Sequence, residues 1–303
     1  MRWKPGTRSR NLEDRRSESG RRRMPFPFPM GRRGGGSRGP APRLSLGSIV
    51  IVLVLAFFFR DDFLRLLASG PLEGAPGVDI GAGSAPGTVP MRSSPEEESA
   101  VDFVSFVLDD LQQAWAQLLP GYRPAKLVLF RGSIRSGCGS ADAQMGPFYC
   151  PADEKVYIDL SFYDQLRRRF GAPGDFAQAY VIAHEIGHHV QKLTGVEPEV
   201  RRLQRARPGQ ANALSVRMEL QADCLAGVWG HSTARRDILE AGDVEEALRA
   251  AAAIGDDAIQ GGSGRVRPES FTHGSSEQRV TWFRRGMTGG DPNACDSFAA
   301  GTR

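Results

Sequence analysis

The stretch His184-Glu185-Ile186-Gly187-His188-His189 decides how the rest of this chain is read. It contains HExxH. Four residues at 100° each come nearly full circle, so His184 and His188 leave one face of a helix together. Neutral imidazole nitrogen is a good zinc ligand. Glu185, beside the first histidine, is then within reach of a water at the metal and can act as general base. The flanks suit a helix: Asp175 reads as its N-cap and Gly195 as its stop. Phe176, Tyr180, Val181, Ala183, Ile186, Val190 and Leu193 approximate a helical apolar stripe. A plain buried helix with two satisfied histidines would leave Glu185 in apolar surroundings with no role, which is costly.

A catalytic zinc needs a third protein ligand and one open position. The pattern HExxHxxGxxH is excluded, because Gln191 and Thr194 stand where it needs glycine and histidine. A glutamate from a second helix is the other common solution. Ser215 to Trp229 reads as such a helix, with Glu219 and Asp223 four residues apart on one face. Glu219 is the candidate ligand. Asp223 is placed to accept the outer N–H of a ligating histidine, His184 in the first instance, which fixes its tautomer. Two solvated acids on an exposed face would fit poorly among Leu220, Ala222, Leu225 and Ala226. Glu197 and Glu199 are rival ligands, but they follow Gly195 in a Pro-containing stretch that reads as loop.

Four stretches, HEIGHHVQ, MELQADCLAGVW, GPFYCPADEKVYIDL and THGSSEQRVTWF, together resemble the bacterial neutral zinc metallopeptidases, the YpfJ-like family. The opening MRW and the cluster Asn11, Glu13, Asp14, Arg15, Arg16 are similar to that family's start. The resemblance spans nearly the whole chain outside a Gly/Pro-rich stretch. It implies an α+β, zincin-like metallopeptidase domain: a small sheet, the HExxH helix and the ExxxD helix. It also implies a zinc cofactor and a peptide or protein substrate. In such peptidases an edge strand above the metal pairs with extended substrate, and Met145 to Tyr149 is the candidate. THGSSEQRV is similar to the family's C-terminal motif, which implies a transition-state role for His273; a surface histidine capping the next helix is the competing reading. Arg279 reads as structural or as orienting a carboxylate near the metal. His189 is expected to pack beside the site, His231 to lie at the surface, and Asp256 and Asp257 to cap or brace the C-terminal segment.

Charge divides the chain. Residues 1–43 hold thirteen Lys/Arg and three Asp/Glu, a net of +10, leaving −6 for the rest of a chain whose net charge is +4. They read as a disordered, basic, cytoplasmic tail. Leu44 to Phe59 is almost wholly apolar and Arg60 follows. Sixteen residues rise about 24 Å as a helix, slightly short of a roughly 30 Å hydrocarbon core. Arginines before the run favour a single transmembrane helix over 44–60 with the N-terminus inside and the catalytic domain extracytoplasmic. A core helix and a cleaved signal peptide are the rival readings. The tail could bind nucleic acid or anionic lipid, but its expected role is to set orientation, so no nucleic-acid partner is expected. Residues 61–95, rich in Gly, Pro, Ala and Ser from Ser69, read as a flexible linker, and 96–303 as the folded domain.

Within that domain, Glu96 to Leu119 has helical apolar spacing, and Lys126–Phe130 and Lys155–Leu160 look like strands. The four cysteines, Cys138, Cys150, Cys224 and Cys295, form no CxxC, which disfavours a structural zinc site. Outside the cytoplasm an even count suggests disulfides. Cys138 with Cys150 and Cys224 with Cys295 is one of three pairings that spacing alone leaves open. Two functions remain: a membrane-anchored zinc peptidase with Glu185 as general base, or a non-catalytic zinc-stabilised module that binds envelope proteins or peptides. Glu185 weighs against the second, because a structural zinc needs no base and is normally closed by four protein ligands.

Overall fold

The computed structural model describes residues 1–18, 93–171, 174–261 and 266–299. It is mixed α+β, mostly helical with a small sheet, consistent with a zincin-like domain. Helix α1 (Pro95–Leu118) begins where local chemistry favours it. Ser94 caps it by accepting from the Glu97 amide at 3.2 Å, Pro95 fills the first turn, and Glu96, Glu97 and Glu98 complement the helix dipole. Its apolar face, Val101, Val104, Val107, Leu108, Leu111 and Trp115, is buried in the core.

Strands β1 (Leu12–Asp14), β2 (Lys126–Phe130), β5 (Phe148–Cys150) and β6 (Lys155–Asp159) form one sheet in the order β1-β2-β6-β5. The first three pairings run parallel for β1–β2 and β2–β6, and antiparallel for β5–β6. Strands β3 (Ser133–Ser136) and β4 (Gly139–Asp142) make a separate hairpin. Helices α2 (Ser161–Phe170), α3 (Asp175–Leu193), α4 (Val196–Ala206), α5 (Ala211–Arg235), α6 (Asp243–Ala253), α7 (Asp256–Gly261) and α8 (Ser276–Gly289) follow. The core joins α1, the β2–β6 pair, α3, α5 and α8.

Several expectations are corrected. The disordered tail over 1–43 fails for residues 1–18, which fold onto the domain. Leu12 pairs with Leu127 and Asp14 with Leu129, while buried Arg16 reaches Asp14 at 2.7 Å and Glu98 at 2.8 Å. A strand of charged residues survives at this edge because its charges find partners; Glu13 bonds Lys155 at 2.9 Å and Lys126 at 3.1 Å. Among the described residues no helix is long and apolar enough to cross a membrane. The expected span 44–60 lies outside them, as do linker residues 61–92. Asp175 is the first residue of α3 rather than its cap, and its carboxylate accepts from the Met1 ammonium at 2.7 Å. Of Met145 to Tyr149, only the end is strand; Met145 closes a 3-10 turn and Gly146 turns at φ 76°.

Both expected cysteine pairs are at bonding distance, Cys138–Cys150 at 2.06 Å and Cys224–Cys295 at 2.03 Å. The first ties the hairpin to β5, and the second ties α5 to the C-terminal turn. By the chain-entropy model the longer loop contributes about 4 kcal/mol and the shorter about 3 kcal/mol. Helices α5 and α8 pack backbone to backbone at Gly227 and Gly286. A Cβ on Gly227 would lie 2.1 Å from the Phe283 carbonyl oxygen, and one on Gly286 would lie 1.9 Å from that of Cys224. Backbone cannot yield as a side chain tip can, so the helices must separate. Gly227→Ala and Gly286→Ala are each expected to lower stability by at least about 1–3 kcal/mol, read from the urea midpoint. An unchanged midpoint would show that this interface is looser than described.

Candidate metal centre

Helix α3 delivers His184, Glu185 and His188, and α5 delivers Glu219 and Asp223. The helices approach closely at Gly187, where a Cβ would meet the Ala222 carbonyl oxygen at 3.0 Å. The two middle positions of HExxH thus include the residue that lets the glutamate helix come near. Glu219 Oε2 lies 3.2 Å from His184 Nε2, and Glu219 Oε1 lies 3.5 Å from His188 Nε2. One ligand atom from each of the three residues falls within 4.8 Å of the others. A tetrahedral zinc with bonds of about 2.0–2.1 Å has ligand–ligand edges of roughly 3.3 Å. The separations present therefore fit a zinc ion, and three ligands leave one position open.

The outer nitrogens of both histidines are fixed, which leaves each Nε2 for the metal. His184 Nδ1 donates to Asp223 Oδ1 at 2.8 Å, and His188 Nδ1 donates to Gln191 Oε1 at 2.8 Å. Asp223 is fully buried and also accepts from Tyr180 Oη at 2.5 Å. Arg279 grips it with both arms of the guanidinium, Nε to Oδ2 at 2.8 Å and Nη2 to Oδ1 at 3.0 Å. Gln191 is held in turn by donating to the Met218 carbonyl at 2.7 Å and to Gln221 Oε1 at 3.0 Å.

The local field favours a cation. Burial disfavours a charged His184, yet Asp223 and Glu219 outweigh it and lift the imidazole to about 10. Burial pushes the Glu219 carboxyl up, but His188 and His184 more than offset this and hold it well below the usual range. Asp223 is likewise lowered, with Arg279 and His184 overcoming desolvation. Glu185 differs: burial raises its carboxyl, and His184 and His188 only partly oppose that. The carboxylate without a ligand role is thus the one most inclined to take a proton.

The other marked residues sort by geometry. His189 accepts from Tyr149 Oη at Nδ1 (3.0 Å) and donates from Nε2 to the Arg123 carbonyl (2.7 Å), so neither nitrogen is left for a metal. Burial lowers its basicity, in keeping with a neutral ring. Glu197 and Glu199 lie on helix α4, not on a loop, and pair with Arg201 and Arg202. Gly195, at φ 83°, turns the chain between α3 and α4. His231 is half-buried rather than exposed, with Nδ1 2.9 Å from the Met287 carbonyl oxygen. His273 borders the same cleft as the three ligands; its Nδ1 lies 3.1 Å from Asp256 Oδ1. Asp256 Oδ2 also accepts from the backbone amides of Thr272, His273 and Gly274, and Asp257 accepts from the Ser276 amide and hydroxyl. These acids brace the loop that carries His273. Tyr180 and Gln191 were not singled out as site residues from sequence. Their signal was available, since they stand four residues before His184 and three after His188, on the faces those histidines share.

Glu219→Ala is expected to abolish stoichiometric zinc binding, while Glu197→Ala and Glu199→Ala retain it. Asp223→Asn should weaken zinc binding by about 10–100-fold in competition with a chromophoric chelator. Full zinc in Glu219→Ala would displace the ligand assignment.

Comparison with known proteins agrees with this geometry. A family model described as "Putative neutral zinc metallopeptidase" matches residues 1–298. "Uncharacterized protein YpfJ" of Escherichia coli strain K12 is 48% identical over 305 residues, covering 98% of this chain and 99% of its own length. "Uncharacterized protein Rv2575" of Mycobacterium tuberculosis is 46% identical over 204 residues, 63% of this chain and 68% of its own length. No solved structure matches. With the family model spanning all but the last few residues, the chain belongs to the neutral zinc metallopeptidase family.

Proposed function

We propose that this protein hydrolyses peptide bonds, with zinc held by His184, His188 and Glu219 and with Glu185 as general base. The observation that carries the reading is Glu185 itself: a buried carboxylate bordering the cleft beside the three ligand atoms, raised in pKa and not needed to hold the metal. A bound zinc supplies Lewis acidity that activates water and polarises a carbonyl. Glu185 takes the proton released by the attacking water and returns it to the departing amine nitrogen. Among the described residues strand β5 is paired on one side only, with β6, and Phe148 and Tyr149 border the cleft. Its outer edge offers backbone groups that can align an extended peptide. His273, which borders the same cleft, donates in this reading to the carbonyl oxygen as negative charge builds there. Asp256 Oδ1 lies 3.1 Å from Nδ1 and orients the ring.

Glu185→Gln should keep one zinc per chain yet lose at least about 100-fold of the hydrolysis of a casein or peptide mixture. Undiminished turnover with equal zinc would remove Glu185 as the base. His273→Ala should lower kcat by about 10²–10³-fold, with zinc content, KM and Tm little changed. Near-native kcat in the metallated variant would reduce His273 to a loop residue.

Localisation follows from two supports. Residues 12–14 share a sheet with the domain, so the chain enters and leaves residues 19–92 on one side of any membrane that the apolar run 44–59 meets. Two disulfides favour an oxidising compartment, so residues 1–18 and the catalytic unit are together extracytoplasmic. A membrane-impermeant thiol reagent should label single cysteines placed at exposed Arg2 and at exposed Glu277 from the same side. Labelling from opposite sides would restore a single span.

A further inference from the structure

The cleft above the metal centre has a volume of about 880 Å³, enough for several residues of an extended peptide. Its floor is His184, Glu185, His188 and Glu219. Its walls come from the turn before β5 and from α2, then from the end of α6, α7 and the His273 loop. Two features of these walls are independent of the catalytic groups.

The first is apolar exposure. Among the described residues only three large hydrophobic side chains are exposed, and two of them, Met145 (65%) and Ile259 (54%), border this cleft. Phe162 and Ile254 line it as well. Exposed apolar groups gathered at one concave site mark a place where an apolar ligand is bound. The second is the absence of a spare charge. Among the described lining residues, Arg279 is the single guanidinium, and it is 2% exposed and committed to Asp223. His273 faces the Asp256 carboxylate. The lining carboxylates are Glu185 and Glu219, which the proposed reaction already uses. Among the described lining residues no unpaired guanidinium or ammonium awaits a C-terminal carboxylate, and no further carboxylate awaits an N-terminal ammonium. A chain terminus held there would bury a charge without a partner, which is disfavoured.

Resting on the peptidase reading above, we infer that this cleft accepts the interior of a polypeptide and selects a bulky apolar side chain beside the bond that is cut, with Met145 and Ile259 as the selecting residues. The substrate class is therefore an unfolded or extended protein segment rich in Leu, Ile, Met or Phe, cut internally rather than trimmed from an end.

The test uses the zinc-loaded full chain and internally quenched peptides, each made with free ends and with N-acetyl and C-amide ends. Blocked and free forms should be cut at equal rates within about twofold, beside Leu, Ile, Met or Phe by mass spectrometry. Replacing that residue with Asp should lower kcat/KM by about 10–100-fold, the scale of losing a pocket's apolar contact. Met145→Glu and Ile259→Asp, at exposed positions that do not enter the core, should lower kcat/KM for apolar peptides by about 10-fold with zinc content and Tm unchanged. Ile259→Lys should at the same time raise kcat/KM for the Asp-containing peptide. Cleavage that requires a free terminus, or that ignores both the apolar residue and the two substitutions, would overturn the inference while leaving the peptidase reading intact. Failure to cut any peptide, blocked or free, by protein with one zinc per chain would overturn both.

Discussion

The rest of the structure depends on one buried carboxylate. Asp223 is fully enclosed, and three elements meet on it: α3 through Tyr180 and His184, α5 through its own backbone, and α8 through Arg279. A charge pair at this depth is not there for net stability, since desolvation can exceed the Coulombic gain; removing one member, however, typically costs about 3–5 kcal/mol, because the other is left buried and alone. Asp223 therefore does two things at once. It locks α8 onto the helix pair, and it turns the His184 ring so that Nε2 points at Glu219. The glycines at 227 and 286 and the Cys224–Cys295 bridge serve the same packing, bringing α8 close enough for Arg279 to reach. The packing of α8 and the orientation of the His184 ring are thus coupled through one side chain.

How much of this was legible from residues alone follows from the range of each interaction. His184, Glu185 and His188 lie within one turn of helix, and Glu219 and Asp223 within another, so helical periodicity alone put each set on a face. That His184 would be the histidine that meets Asp223 was also readable. Arg279 was readable as structural or as orienting a carboxylate near the metal; that the carboxylate is Asp223, 56 residues earlier, comes only from the fold. The helix carrying Glu197 and Glu199 was misread because Pro198 suggests a break, whereas a proline in the first turn costs no hydrogen bond. The N-terminal tail was misread for a different reason. Its composition is that of a solvated segment, and β1 carries Glu and Asp in two of its three positions. Its order comes from ion pairs with Lys126, Lys155 and Glu98, each more than eighty residues away.

The short sheet has a corresponding division of labour. Among the described residues its two edge strands are β1, whose Glu13 and Asp14 are paired by Lys126, Lys155 and Arg16, and β5, which Cys138–Cys150 staples and whose Phe148 and Tyr149 border the cleft. Charged residues on an edge strand disfavour pairing with another chain, so of these two edges β5 is the one suited to the proposed alignment of a peptide. The acids at 256 and 257 act at the other wall, fixing the loop that presents His273 without contributing a charge to the cleft.

The most direct test of the account is X-ray absorption at the zinc edge of the purified, zinc-loaded chain. The arrangement of His184, His188 and Glu219 requires a four-coordinate first shell made only of nitrogen and oxygen at about 2.0–2.1 Å, with outer-shell scattering from two imidazole rings and the fourth position open to solvent. Sulfur at about 2.3 Å, or scattering from three or more imidazoles, would contradict the account by showing that the metal is held by residues other than the three brought together around Asp223.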